Sequence, residues 1–365
     1  MSNPNQSNNF SGAMELLSTL LLSPDLSPLA PEVSRLQALS TSEFDSLVAL
    51  AHSNHVVIRG LGAYRALLQG GQDAERTQMA GAIIAAEESR IATATLHLRQ
   101  ICDAFASAGL DLTVIKTLDH WPDFGSDIDL YTNASPVAVC ALMQFRFDAT
   151  IASRSWGDRL AGKWNFEIPG LPEAVEIHMQ RLGQTGEHLE LARKVPDRSR
   201  VRQFGGYEFR VASASDRIMI STLQRMYRHF YFRLCDILDS ASLVMSGEID
   251  WDDLQRSAEL CGIWEGTATY LVLVSDYVQR YSGSAIALPD SVRQSARFDG
   301  TAMYCGGIFL RVPIMPQSVG LYRSQLIGSL RRGEISGSVR LGVLPWLATA
   351  AAIGQRITGS DKGIW

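Results

Sequence analysis

The chain has 365 residues, 46% of them hydrophobic and 19% charged, a balance that fits a water-soluble protein of one large or two ordinary domains. Its 33 lysines and arginines stand against 38 acids, a formal net charge of −5, which excludes a global basic field able to hold a long nucleic acid. An anionic ligand must therefore be held locally, by a few basic groups or a bound cation. No run reaches the ~18 consecutive apolar residues of a membrane span; the nearest, "LGVLPWLATAAAIGQRI" at 341–357, reads as a buried C-terminal helix.

The first residues, "MSNPNQSNNFSGA", are polar and lack the basic and apolar segments of a secretory signal, so 1–13 is expected to be a disordered tail. Residues 14–110 read as helical. In "STSEFDSLVAL" Thr41 or Ser42 can cap a helix whose Phe44, Leu47 and Leu50 recur at helical intervals, and 77–108 is rich in Ala, Leu, Glu and Arg before the stop at Gly109.

The period changes from about four to two between 111 and 212, which predicts a small mixed α/β unit. "LTVIKT" (112–117) and "SDIDLYT" (126–132) read as strands joined by a loop with Pro122 and Gly125; 135–147 reads as a helix capped by Ser135 with Pro136 at its first position. Two more strands follow, "KWNFEIP" (163–169) and "AVEIHMQ" (174–180). From 213 to 365 the helical pattern returns, including one continuous stretch from Ser213 to Met245, with Asp216 and Asp250 at helix starts. The five cysteines, Cys102, Cys140, Cys235, Cys261 and Cys305, lie far apart with no metal-ligand spacing and read as reduced thiols of a cytoplasmic protein.

Chemistry concentrates in the α/β unit. On a strand, residues two apart point to one side, so Asp127 and Asp129 project together while Ile128 and Leu130 enter the packing. Neighbouring carboxylates repel unless solvated or bridged by a cation, and hard oxygen ligands of this kind suit Mg²⁺. On the second strand Glu176 and His178 alternate with Val175 and Ile177. If the two strands are neighbours, Glu176 completes a three-carboxylate cluster able to hold two metal ions, the layout of two-metal phosphoryl or nucleotidyl transfer. His178, a histidine beside an acid, reads as a structural partner.

These residues carry a resemblance. "GSDIDLYT" after a loop, Lys116 ending the preceding strand, and an acid-x-His strand some fifty residues on together resemble the DNA polymerase β-like nucleotidyltransferases, and most nearly the uncharacterised nucleotidyltransferase family within them. The helical flanks "LVALAHSNHVVIRGLGAYRAL", "RLCDILDSASLV" and "IDWDDLQRSAELCG" are similar to that family as well, so the resemblance covers about residues 40–280. It implies an α+β fold in which a small mixed sheet, the palm, is flanked by N-terminal and C-terminal helical regions. It implies an enzyme that moves an NMP from an NTP, ATP among the candidates, to a hydroxyl of a small molecule, sugar or protein, releasing pyrophosphate. Asp127, Asp129 and Glu176 are then the catalytic and metal-holding residues, for two Mg²⁺ ions or Mn²⁺ in their place.

One departure stands out: relatives usually carry Gly-Ser or Lys-Gly where backbone amides cradle the triphosphate, and this chain has Lys116 and Thr117. Lys116, Thr117, Ser126 and Arg233 are the expected nucleotide contacts. On a continuous helix Arg225, Arg228, His229, Arg233 and Asp236 would share one face and could meet phosphates. His120 and Asp119 could reach a substrate from the loop, Trp121 and Tyr131 could stack on a base, and Trp164 and Asn165 lie near the expected site. Two other readings stay open, a sugar-nucleotide glycosyltransferase using Asp-x-Asp and a catalytically silent binding protein on the same fold.

Overall fold

Among the described residues five helices come first: α1 (Pro4–Leu22), α2 (Pro31–Gln37), α3 (Thr41–Ser53), α4 (Val57–Leu68) and the long α5 (Ala74–Ser107). The computed structural model describes residues 4–23, 31–68, 73–331, 333, 335–344 and 346. At α3 the cap is Ser40, one residue before the expected pair; its hydroxyl accepts from the Glu43 amide while the Glu43 carboxylate accepts from the Ser40 amide.

The central unit runs β1 (Thr113–Val114), β2 (Asp127–Thr132), α6 (Pro136–Phe147), β3 (Thr150–Ile151), α7 (Trp156–Ala161), β4 (Lys163–Glu167), β5 (Ala174–Met179), α8 (Leu189–Arg198), β6 (Arg200–Phe204) and β7 (Tyr207–Val211). These strands make one mixed sheet of order β3-β4-β5-β2-β1-β7-β6. β2 runs parallel to β5 and β1 parallel to β7, and the other neighbours are antiparallel. The architecture is thus α+β, as expected. Ser135 caps α6 by accepting from the Ala138 amide, with Pro136 at the first position.

One face of the sheet is apolar. Ile128, Leu130, Val175, Ile177 and Phe166 are buried against Ile91, Leu98, Ile101 and Phe105 of α5 and Val139 and Met143 of α6. Because side chains alternate, the residues between them turn to the opposite face, toward the C-terminal elements.

Those elements are α9 (Ala214–Gln224), β8 (Tyr231–Phe232), α10 (Leu234–Met245), α11 (Trp251–Leu260), α12 (Trp264–Ser282), α13 (Asp290–Ser295), β9 (Tyr304–Gly306), β10 (Phe309–Arg311) and α14 (Val319–Arg331). Two expectations change here. The stretch from Ser213 to Met245 is not one helix: after α9 a wide turn at Arg225–His229 leads to Phe230 in the left-handed region (φ 56°), and α10 starts afresh. Nor is the C-terminal region purely helical, since β8, β10 and β9 form a second, three-stranded sheet in which Phe232 pairs with Leu310. That pairing joins residues almost eighty positions apart, which local periodicity cannot register.

The expected disordered tail also changes. α1 starts at Pro4 and from Ala13 onward buries Met14, Leu16, Leu17 and Leu20 against α3, α4 and α12. Its polar composition concealed the start of an apolar stripe. None of the described helices is long and apolar enough to cross a membrane, and the described part of 341–357 ends at Trp346, so the helix expected there lies largely outside the described residues. None of the five cysteines forms a disulfide among the described residues.

Candidate active site

The register of β2 and β5 assembles the acids. Asp129 is the direct neighbour of Glu176, with Asp127 opposite Ala174 and Tyr131 opposite His178. Ligand atoms of Asp129, Glu176 and His178 lie within 4.8 Å of one another. Both Asp127 and Asp129 line a cavity of about 220 Å³ together with Glu176, Lys116, Thr117, Gly125, Ser126 and Lys163. All seven residues expected at the site, Asp127, Asp129, Glu176, Lys116, Thr117, Ser126 and Arg233, therefore border one cavity.

Each acid has its own setting. Asp127 is half-buried; its carboxylate accepts from the Ser126 hydroxyl at 3.3 Å and makes no ion pair among the described residues. Asp129 is 6% exposed and meets the Lys116 ammonium at 2.5 Å. Burial, with the charges of Asp127 and Glu176 beside it, pushes its carboxyl up to about 8 in spite of Lys116. For Glu176 burial also opposes charge, but the hydrogen bond from His178 and the charges of Lys116, His178 and Lys163 outweigh it and hold the carboxyl well below its ordinary value. Its two oxygens are 2.9 Å from Lys163 Nζ and 2.9 Å from His178 Nε2.

Thr117 opens a single 3₁₀ turn, Thr117–His120, where the resemblance implies a phosphate-cradling helix. Its hydroxyl oxygen accepts from the Asp129 amide at 2.6 Å, which pins the backbone of the acid strand. No glycine is needed for that task, and this is a physical reason for a side chain at the position.

The opposite wall is basic. The expected helix-face stripe does not exist as such, because the helix ends at Gln224, but the wide turn and left-handed Phe230 bring the same residues together: Arg225, Arg228, His229, Arg233 and Asp236 all line the cavity. Arg225 is 2% exposed and pairs with Asp236 at 2.8 Å, while its Nη1 has no hydrogen-bond partner among the described residues. Burial, followed by the charges of Arg228, Arg225, Lys116 and Arg233, holds the His229 imidazole well below its ordinary value. Burial and then Arg233, His120 and Arg225 bring His55 down to about 2. Burial above all keeps both histidines neutral, and the guanidinium groups of Arg225, Arg228 and Arg233 on this wall suit it to an anion.

Several residues join the site that the sequence did not single out. Arg217 holds Asp119 at 2.6 Å on the cavity wall. His120 donates to Asp239 at 2.5 Å, and Arg59 bridges Asp239 and Asp123, each at 2.7 Å. Lys163 is the most consequential: it has no sequence neighbour of opposite charge, and only the β4–β5 register, Lys163 opposite His178, sets it beside Glu176. Other candidates move away. Trp164 lies on the far face under the Arg154 guanidinium, 4.0 Å from its centroid, Trp121 packs edge-on against Phe204, and Tyr131 is fully buried. Tyr231, stacked on Phe309 at 4.3 Å, is the aromatic that borders the cavity. Asn165 pairs with Glu176 on the acid face.

No protein-family model matches the chain, and no curated protein is significantly similar to it.

Proposed function

We propose that the protein is a metal-dependent nucleotidyltransferase of the DNA polymerase β-like type, its seven-stranded sheet serving as the palm. The observation that carries this reading is the pairing of Asp129 with Glu176 on the face that also bears Asp127, above a cavity whose far wall is basic. The donor set fits a hard divalent cation. Asp127 presents a carboxylate free of ion pairs among the described residues, and Asp129 stands beside it with a carboxyl that burial and neighbouring charge leave short of cationic compensation.

Asp127 and Asp129 would hold Mg²⁺, or Mn²⁺ in its place. When bound, the ion neutralises phosphate oxygens and favours the ionised form of an acceptor hydroxyl. The chain's own groups do the positioning. Lys116 and Thr117 fix Asp129 in place, the hydroxyl of Ser126 stands beside Asp127, and Arg225, Arg228 and Arg233 offer guanidinium groups to the triphosphate. An acceptor hydroxyl gives up its proton to solvent, its oxygen bonds to the α-phosphorus, the α–β anhydride bond breaks, and pyrophosphate leaves toward the basic wall. With a net charge of −5, the acceptor is a small molecule, a sugar or a protein hydroxyl rather than a long nucleic acid.

A glycosyltransferase has less support, because helices and not a βαβ nucleotide unit precede the acids. Incubation with each α-labelled NTP and Mg²⁺, in the presence of cell extract as a source of acceptors, tests the proposal. Label transfer should fall by on the order of 10²–10³-fold in Asp127→Asn and Asp129→Asn. Nucleotide binding without transfer would favour a silent relative; release of a nucleoside diphosphate from a sugar nucleotide would favour the glycosyltransferase.

A further inference from the structure

The third carboxylate of the cluster is already occupied. Lys163, 8% exposed, reaches Glu176 Oε2 at 2.9 Å, and His178 Nε2 meets the other oxygen at 2.9 Å, so both acceptor atoms of Glu176 are engaged by groups of the chain itself. Lys163 is held from a second side by Asp158 Oδ1 at 3.0 Å. Asp158 is not free to follow the lysine elsewhere, because it closes the capping box of α7, accepting from the Ser155 amide at 3.0 Å while its own amide donates to Ser155 Oγ. The ammonium therefore sits between two anchored carboxylates, on the wall of the same cavity as Asp127 and Asp129.

A divalent ion on Glu176 would have to displace this ammonium and leave it facing the ion at short range, with only Asp158 to offset the repulsion. Asp127 presents no such obstacle, and Asp129, which meets Lys116 through Oδ1 at 2.5 Å, keeps its second oxygen clear of ion pairs among the described residues, whereas both oxygens of Glu176 are engaged. We propose that Lys163 stands in place of a second metal ion: with nucleotide bound, the site takes one divalent cation, on Asp127 and Asp129, while Glu176 holds Lys163 instead of ligating metal. The fixed ammonium then stands on the cavity wall in place of an ion held by Glu176. This inference rests on the nucleotidyltransferase reading above, and it replaces the two ions that the sequence resemblance implies with one.

Counting ions tests it without any need for turnover. The full-length protein is titrated with Mn²⁺ in the presence of a non-hydrolysable NTP analogue, with free Mn²⁺ read by electron paramagnetic resonance and nucleotide binding read by calorimetry. The expected result is one Mn²⁺ in total per chain with analogue bound, rising to two in Lys163→Met, with circular dichroism confirming that the variant is folded. Two ions in the wild type would overturn the inference and leave the nucleotidyltransferase reading intact. So would a folded Lys163→Met that still takes one. If the variant does not fold, the wild-type count decides by itself. Binding of neither Mn²⁺ nor analogue by the wild type would overturn this inference and the reading beneath it together.

Discussion

Lys116 faces the acids from just before the 3₁₀ turn that follows β1, and its ammonium meets Asp129 at 2.5 Å. Replacing it leaves a carboxyl that is already pushed up to about 8 with less reason to ionise. Lys116→Met should therefore lower label transfer from an α-labelled NTP by on the order of 10²-fold or more, the scale of losing one preorganised charge in an active site. Transfer within a few-fold of the wild type would mean that Lys116 has no part in the chemistry. At this scale much of the site was legible. Asp127, Asp129 and Glu176 stand out because a two-residue period must put them on one side of their strands. Lys163 was not legible, since a lone lysine on a strand gives no hint of what lies across the sheet. Trp121 and Tyr131 misled for the complementary reason: an aromatic near an acid in sequence shows nothing about which core will take it.

Helices, strands and the joints between them carry a second prediction. Asp123, 1% exposed, accepts from the Ile58 amide at 2.6 Å at the start of α4 and from the Arg59 guanidinium at 2.7 Å, and Arg59 in turn reaches Asp239 on α10. One carboxylate thus ties the N-terminal helices to the loop before β2 and, through Arg59, to the C-terminal helices. Asp123→Ala should cost about 3–5 kcal/mol, the usual effect of removing one member of a buried ion pair, seen as a lower urea midpoint at unchanged slope; a loss below about 1 kcal/mol would show that the joint is not structural. The elements that carry or flank the acids, β2, β5 and α6, were legible from capping and periodicity, whereas α7, α8 and the strands β3, β6 and β7 were not. The break after α9 was not, because "STLQRMYRHFYFRLCDIL" keeps an apolar spacing that a helix would satisfy. The pairing of Phe232 with Leu310 satisfies the same residues by a strand instead.

Across the whole molecule, buried histidines set a pH dependence. His55, brought down to about 2, and His229, also held well below its ordinary value, stay neutral in the folded chain, whereas the unfolded chain binds their protons below about pH 6.5. Acidification from pH 7 to pH 5 should then remove stability at these two groups, by up to about 1.4 kcal/mol per pH unit for each once the pH is below 6.5, while Asp129, pushed up to about 8, works in the opposite sense over the same range. His120 shifts the other way: burial opposes its charge, but Cys235 and Asp239 outweigh it, so its contribution is complete below pH 6.5 and fades only as pH rises through its elevated pKa. It does not offset the acid loss. Urea midpoints at pH 7 and pH 5 should differ less in His55→Gln than in the wild type, and an equal difference would rule His55 out as a source. By itself, the sequence determined that the stretches bearing the acids are strands, that two acids share one side of β2, and that no net positive field surrounds the chain. These follow from local geometry and summed charge, which need no tertiary contact. Only the tertiary structure decided that β5 lies beside β2, that Lys163 sits on Glu176, and that Arg225, Arg228 and Arg233 meet across the cavity from the acids. Sheet order, register and the breaking of a helix depend on which distant segments bury one another, and no local pattern encodes that choice.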